Sequence, residues 1–591
     1  MKGFDVLKVK SAVKAHNKFD LSRTHLTTMN FGEIVPLLAE EVIGGDKFSI
    51  DSNYFARLAP LVKPTFGKFS FKTVVGYVPY HMVAADAEAW IAGKTAWEGY
   101  TPRGRYFTVG SLHGFIKSTC VTTTGATASN SVYTYVDTSG TVIYNVFTKV
   151  GKYYVKVLNA LGYALPSYVD EQSSSQWVAQ MANYKLSAFP LLAYFKLYND
   201  YMSQSQRFNS SQMSNVLTAI KYIKAYTGIW NYATGEILPG ALSLLFGSVR
   251  LNYENDYFTS AWQSPNAPIN SIESINQVIV PRPEGGSGVI NSTVTNNVAL
   301  LSHDSSGSGF LTQRVIDFLK SFDNWVRRNN YSGSRAVQQV YSRLGIKTSD
   351  FRDHYANVLA TDVIPISVGD VTATGPQFIS AGDPNNVGLG DYAGKGIMSG
   401  NKGVSFQADD YGIVFVLGYF TVSPMNAFGN DRKVLRTAPL DFYTPEFDGL
   451  GADAISVGEY FADPVNPTVL DNAVFGYTER YNAYRYGRDQ ITGEFRDYSQ
   501  SGDMNCWHTG RNMSTIRAAG QLVAQHDAVN TLPQTDSEYN RIFSYTGGDV
   551  DHFYLTAHFN VDAIRPMLNL NQVVGLGEGD TIVPRNGNVI S

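Results

Sequence analysis

The chain has 591 residues and a mass of 65.0 kDa, with 17% charged residues and a formal net charge of −4, against about 25% charged residues in an average soluble domain. That length allows a sizeable core with elaborations, and the near-neutral balance excludes any molecule-wide attraction to a polyanion. The 37 Tyr, 33 Phe and 7 Trp suit a protein that buries much surface, including surface shared between subunits, where aromatic residues are enriched and acids and lysines depleted.

Two cysteines, Cys120 and Cys506, stand far apart and form no C-x-x-C pair, so neither a disulfide framework nor a zinc ribbon is expected, and two thiols fit a reducing cytoplasm. Lysines recur through Lys18, where a secretory signal would need an uninterrupted apolar run, so export is not expected. The most apolar stretch, Tyr411 to Val422, is far short of the roughly 20 residues that span a bilayer. It reads as a buried strand, and no membrane insertion is expected.

In chain order, residues 1–25 form a basic arm: Lys2, Lys8, Lys10, Lys14, Lys18 and Arg23 against Asp5 and Asp20. Its cations could neutralise phosphates without reading base sequence; the plainer reading is a solvated tail. Phe69, Phe71, Thr73, Val75 and Tyr77 alternate with polar residues, as a half-buried strand requires. Segments Ser131 to Asp137, Thr141 to Phe147 and Lys152 to Leu158, separated by Ser139-Gly140 and Gly151, read as a meander. Residues from about 159 to 263 form a helical insertion, with helices expected over Pro190 to Met202 and Ser214 to Tyr226.

From Ser264 to Gly309, Pro, Asn, Ser and Gly dominate, and Glu284-Gly285-Gly286-Ser287-Gly288 predicts an exposed loop without regular structure. Residues 310–345 are helical by the spacing of Leu311, Val315, Phe318, Leu319, Phe322 and Val326, and again of Val337, Val340, Tyr341 and Leu344, with Gly345 as C-cap. Residues 382–403 read as a Gly-rich loop. Phe553, Leu555, Ala557, Phe559 and Val561 alternate cleanly with Tyr554, Thr556, His558 and Asn560, which predicts a closing strand. No fixed-period repeat disturbs this pattern. The whole of 26–591 is therefore expected to be one mainly β sandwich with long loop and helical insertions.

Chemistry-bearing motifs are sparse. Gly388 to Gly396 lacks the spacing of a phosphate cradle, having Leu389 and Gly396 where glycine and Ser or Thr are needed. Cys506-Trp507-His508 places a thiol near an imidazole, but sequence neighbours point to different faces, and a packing role is favoured. His552 and His558, six residues apart on a strand, would stand roughly 20 Å apart and cannot share a metal. No catalytic residue, metal ligand or cofactor is assigned, and the chain is not expected to be an enzyme.

One segment, Tyr477 to Tyr498, interleaves Arg480, Arg485, Arg488 and Arg496 with Tyr481, Tyr484, Tyr486 and Phe495. Rings and guanidinium groups suit stacking on unpaired bases. Glu479, Asp489, Glu494 and Asp497 cancel the arginines, so a subunit interface of Arg-carboxylate pairs and packed rings is favoured.

Fragments along the chain then line up in order: Asn30-Phe31-Gly32-Glu33-Ile34-Val35-Pro36, Gly45-Asp46-Lys47-Phe48, Arg57-Leu58-Ala59-Pro60-Leu61-Val62, Tyr77-Val78-Pro79 and Trp90. Pro190-Leu191-Leu192-Ala193-Tyr194, Tyr198-Asn199-Asp200-Tyr201 and Asp256-Tyr257-Phe258-Thr259-Ser260-Ala261 follow. Glu479-Arg480-Tyr481, Tyr484-Arg485-Tyr486, Thr492-Gly493-Glu494-Phe495-Arg496, Asp551-His552-Phe553 and Arg565-Pro566 complete the set. In these fragments, collinear from about residue 26 to 567, the sequence resembles the major capsid protein of microviruses, especially the gokushovirus-like branch. Two departures are a thinning of basic residues around the Arg-rich motifs and a longer Ser-Gly-Asp-Met-Asn-Cys approach to Trp507-His508.

The resemblance implies an eight-stranded antiparallel jelly roll, assembled by self-association into a T=1 icosahedral shell around circular single-stranded DNA. It implies a small basic DNA-packaging protein, other virion proteins and a host-cell surface receptor as partners, with assembly in the bacterial cytoplasm. On that reading the basic arm lines the inner wall. The 264–309 loop, with Pro281, Arg282, Glu284 and Asn291, projects toward the host. The competing class, a secreted carbohydrate-binding β-sandwich, would need an export signal.

Overall fold

A computed structural model describes residues 16–136, 141–164, 183–202, 211–249, 251, 253, 256–261, 277–281, 287–295, 298–302, 321, 324, 328, 341, 342, 344, 345, 355–372, 392–427, 429–448, 452–460, 474–496, 503–511, 539–545 and 550–567. Strands β1 (Asn17–Asp20), β2 (Arg23–Met29), β3 (Val35–Val42), β4 (Lys47–Leu58) and β5 (Lys68–Pro79) come first. An insertion then carries α1 (Ala87–Ile91), β6 (Tyr106–Thr108), α2 (Val109–Phe115), β7 (Val121–Thr122), β8 (Tyr133–Val136), β9 (Val142–Phe147) and α3 (Lys149–Ala160). It continues through β10 (Lys185–Ser187), α4 (Phe189–Tyr201), α5 (Ser211–Lys221), β11 (Trp230–Asn231), β12 (Glu236–Ile237) and α6 (Pro239–Gly247). Next come β13 (Gln277–Pro281), β14 (Ser287–Thr295) and β15 (Val298–Ser302).

The chain returns to the framework with β16 (Asn357–Pro365), β17 (Ser367–Thr372), β18 (Tyr392–Gln407) and β19 (Gly412–Ser423). A second insertion holds α7 (Arg432–Leu435), β20 (Ala452–Ser456), α8 (Val457–Tyr460) and β21 (Val474–Glu479), and β22 (Phe553–Arg565) closes the fold.

Two antiparallel sheets make the framework. One runs β2-β22-β4-β18, with β1 beside β2 along the β22 edge and β17 outside β18. The other runs β3-β19-β5-β16. The eight strands β2, β3, β4, β5, β16, β18, β19 and β22 thus divide four and four in the connectivity of a jelly roll. Both long insertions leave from ends of strands, so neither interrupts the hydrogen-bond ladders.

Burial separates the sheets. In β4 and β22 buried and exposed residues alternate along almost the whole strand, the mark of a sheet with one wet face. In β19, by contrast, nearly every residue from Gly412 to Val422 is buried. Helices α3 and α4 cover the outer face there: Tyr153 and Tyr194 both donate from their hydroxyls to the Ile34 carbonyl, at 3.1 and 2.9 Å. Gly76 of β5 lies so close to Leu197 of α4 that a Cβ would stand 2.6 Å from its methyl carbon. The strand expected to be half-buried over Phe69–Tyr77 is so only at its start; from Val74 onward both faces are covered.

Other expectations are corrected. Lys152 to Leu158 is not a strand but part of α3, capped by the Thr148 hydroxyl accepting from Gly151 N–H at 3.0 Å. Its buried residues, Tyr153, Tyr154, Val157 and Leu158, recur at three- and four-residue spacing, which a single-face strand reading overlooked. The other two expected strands exist as β8 and β9, and β7 supplies the third. Half of the 382–403 loop is β18; Gly394 is needed there because a Cβ would meet Leu61, Lys63 and Pro64 at 3.0 Å. Within 264–309, β13, β14 and β15 pair antiparallel, and Ser287 and Gly288 belong to β14. The arm expected over 1–25 is shortened, since residues 17–20 and 23–29 are strands paired to β22.

Expected helices at 190–202 and 214–226 appear as α4 and α5. Most of 310–344 lies outside the described residues, and Ser321, Asn324, Arg328, Tyr341, Ser342 and Leu344 are helical. Gly345 has φ +68° and its N–H donates to the Tyr341 carbonyl at 2.9 Å, as a C-cap requires. Among the described residues no helix is long and apolar enough to cross a membrane.

Two ion clusters, the first buried and the second partly buried, fix the insertion. Arg105 and Asp86, both fully buried, meet at 2.7 Å; Arg105 also donates to the carbonyls of Ile220 and Arg103 and lies over the Trp230 ring. Lys156 of α3 reaches Glu33 at 2.7 Å and Asp551 at 2.9 Å, while Asn30 donates to Asp551 at 2.7 Å. Burial pushes the Glu33 carboxyl up. Burial pushes Asp551 the same way, but Lys156 and the Thr28 hydroxyl outweigh it and hold that carboxyl below its ordinary value.

Removing one member of the buried pair strands a charge, so Arg105→Ala should destabilise the chain by about 3–5 kcal/mol in chemical denaturation, and Arg105→Met with Asp86→Leu should recover most of it. Because the Asp551 pKa is lowered in the folded state, its contribution is complete above the ordinary value of 3.8 and is lost as pH falls through the folded value. Between those two values the melting temperature of the native chain should therefore fall more steeply with falling pH than that of Asp551→Asn, and below both the two should run parallel.

Candidate assembly surfaces

The second insertion builds a small lobe with its own core of Tyr257, Phe258, Ile455, Tyr460, Phe475 and Ile491. Asp256 nucleates one wall: its carboxylate accepts from Phe258 N–H at 2.9 Å and Thr259 N–H at 2.6 Å, and Asn426 donates to it at 2.6 Å. That turn aims Tyr257 inward, where it stacks on Tyr486 at 4.9 Å and donates to Glu459 at 3.1 Å. Burial, with Glu459 alongside, raises the Tyr257 pKa well above its ordinary value. Arg432 neutralises the buried Glu459 at 2.6 Å and also meets Asp453 at 3.1 Å.

The Arg- and Tyr-rich segment divides in two. Tyr481 is 5% exposed, adopts left-handed φ of 63°, and packs edge-on to Tyr443 at 5.1 Å. Tyr486 faces the lobe core, Arg488 donates to the Asn426 carbonyl at 3.1 Å, and Phe495 packs on Phe66 at 6.4 Å. Arg480 lies over Phe447 at 5.1 Å. These residues, expected at a subunit interface, are engaged in the chain's own packing. Tyr481 is covered there, with Tyr443 edge-on to its ring and the Arg480 guanidinium over it.

Tyr484 and Arg485 differ: each is half exposed, and Arg496 is exposed as well. Arg485 meets Asp448 at 3.0 Å and Glu479 at 3.4 Å; of the acids expected to balance the arginines, Glu479 does so, and the nearer partner comes from outside the segment. Tyr484 lies under the Arg436 guanidinium at 3.9 Å and edge-on to Tyr443 at 6.0 Å. In the stretch that supplies Arg436 and Tyr443, the residues Val434, Leu440, Phe442 and Tyr443 are 63, 59, 53 and 49% exposed. Sequence reasoning missed these exposed apolar residues, which show no periodicity; their one signal is Leu440, Phe442 and Tyr443 crowded between Pro439 and Pro445.

Of the basic arm, Lys2, Lys8, Lys10 and Lys14 lie outside the described residues. Lys18 pairs with Asp562 at 2.9 Å and Arg23 with Glu40 at 3.1 Å, so both sit in the sheet opposite acids of the same chain. Pro281 ends β13, and Asn291 of β14 pairs with Gln277 and Ser302; Arg282 and Glu284 lie outside the described residues. His508 uses its ring on the backbone of Phe495 and Gly510, at 3.1 and 3.0 Å, a packing role. His552 is buried against Phe543 at 4.1 Å, whereas His558 is exposed and bonded to Thr24 at 2.8 Å.

Motifs distant in sequence meet in space. Asn30 and Glu33 share Lys156 and Asp551, while Arg565 donates to the Glu41 carbonyl at 2.6 Å, pairs with Asp46 at 3.3 Å and lies over Phe48.

A family model described as capsid protein (F protein) matches residues 7–108 and 319–574, leaving out most of the first insertion. The capsid protein VP1 of Chlamydia phage 1 is 24% identical, with 95% of each chain covered. The capsid protein VP1 of Bdellovibrio phage phiMH2K is 22% identical over 85% of this chain and 86% of its own. With jelly-roll connectivity in place and well over half of its length matched by that model, the chain belongs to the capsid protein (F protein) family of microviruses and is a structural capsid protein.

Proposed function

We propose that this chain is the major coat subunit of a T=1 icosahedral shell enclosing a circular single-stranded DNA genome, and that it acts through shape, without catalysis. The observation that carries the reading is the exposure of Val434, Leu440, Phe442 and Tyr443 within one short stretch, with the half-exposed Tyr484 edge-on to Tyr443. Soluble monomers rarely leave such patches open unless another molecule covers them. Its rim carries Arg485 and Asp448, the mixture of aromatic centre and charged border found at protein interfaces. Heterologous contacts between copies close into a shell when their rotations are right.

The genome would meet local basic positions, since the whole chain carries −4. Lys2, Lys8, Lys10 and Lys14 supply that role on the inner wall, with a small basic packaging protein and counterions neutralising the rest. Lys18 and Arg23, proposed for the same role, also pair with Asp562 and Glu40 of the same chain, at exposed positions. The segment holding β13, β14 and β15 is the proposed outward projection toward a host-cell surface receptor. Particles would form in the bacterial cytoplasm.

Replacing Leu440 and Phe442 together by Ser should cut particle yield at least tenfold in an assembly assay while leaving the melting temperature of the unassembled chain little changed, both side chains being more than half exposed. Undiminished yield would remove this surface from the contacts. Changing Lys2, Lys8, Lys10 and Lys14 to Gln should lower the DNA content of particles or the ordering of that DNA and weaken its dependence on salt. Unchanged packaging would show that the arm does not touch the genome.

A further inference from the structure

Outside the sandwich core three elements converge: the turn after β5, which holds His81, helix α1, which holds Glu88, and the turn joining β18 to β19, which holds Asp410. A ring nitrogen and two carboxylate oxygens, one from each residue, lie within 4.8 Å of one another. Donors around a tetrahedral ion with bonds of about 2.0–2.2 Å stand roughly 3.4 Å apart. His81 Nδ1 and Asp410 Oδ2 already lie at 3.0 Å, and Glu88 is exposed on its helix, so a side-chain rotation completes the set.

The two inner ligands are held in place by groups outside the cluster. The Tyr77 hydroxyl donates to the Asp410 carbonyl at 2.6 Å, and Tyr411 N–H donates to Asp410 Oδ1 at 2.6 Å, which leaves Oδ2 turned to His81. Tyr80 N–H donates to the Tyr411 carbonyl at 2.9 Å and so ties the residue before His81 to the residue after Asp410.

We propose that His81, Glu88 and Asp410 form a divalent-cation site of the zinc type, with a fourth position open to solvent. An imidazole among the donors favours zinc over calcium or magnesium, which take oxygen ligands. The two carboxylates balance the charge of the ion. A bound ion would pin α1, the first helix of the insertion, to the β18–β19 turn of the framework. This inference is independent of the coat reading, because it concerns a single chain.

The test uses the full chain, unassembled and in particles, after removal of metal with a chelator. Calorimetry with Zn2+ should give one site per chain, a raised melting temperature, and no displacement by a tenfold excess of Ca2+. Glu88→Gln, a change on an exposed helix face, should weaken binding at least tenfold, and His81→Ala should abolish it. Full affinity in Glu88→Gln, or the same binding in His81→Ala, would place any zinc elsewhere and overturn the proposal. A stability loss in His81→Ala that is equal with and without Zn2+ would identify a plain ion pair of imidazole with carboxylates, and would overturn it as well.

Discussion

The structure depends on one long-range pairing: β22, at the end of the described chain, lies between β4 and the β1–β2 edge. Closing so long a loop costs conformational entropy before any contact repays it, and β22 offsets that cost by burying Phe553, Leu555, Phe559 and Val561. Each such side chain contributes roughly 1.5–3 kcal/mol when fully buried. Phe420 of β19 stacks on Phe553 at 4.0 Å and Phe31 meets it at 4.7 Å, so the same strand also ties the two sheets together.

Polar contacts specify the register that hydrophobic burial alone would leave loose. Arg565 answers Asp46 at the far end of β22, and Asp551 answers Lys156 and Asn30 at its start. A slip of one residue would send every buried side chain of β22 to the wet face and separate both clusters. The collinear fragments that resemble microvirus capsid proteins are, in these cases, the two halves of single tertiary contacts.

The two sheets also differ in what they offer a neighbour. Helices α3 and α4 occupy the outside of the β3-β19-β5-β16 sheet, while the other sheet keeps an alternating outer face on which Leu26, Phe55 and Tyr554 stand exposed among polar residues. The lobe core takes Tyr257, Phe258, Tyr486 and Phe475 inward, while Phe442, Tyr443 and Tyr484 stay about half exposed.

From the sequence alone, β19 and β22 were legible because a long apolar run and a strict alternation are local signals that only one environment satisfies. The β class, the insertions and the capsid family followed from such signals and from the collinear motifs. Lys152 to Leu158 was misread because its residues satisfy two periods over so short a span, and only the packing of α3 against β3 decides between them. Gly394 and its neighbours looked like a loop because glycine is the commonest turn residue, whereas here it permits the close approach of 61–64. Which rings of the Tyr477–Tyr498 segment face inward could not be read from their order: the left-handed turn at Tyr481 and the arrival of Tyr257 from far upstream are set by contacts between segments, and a linear pattern carries no information about partners that meet only when the chain is closed.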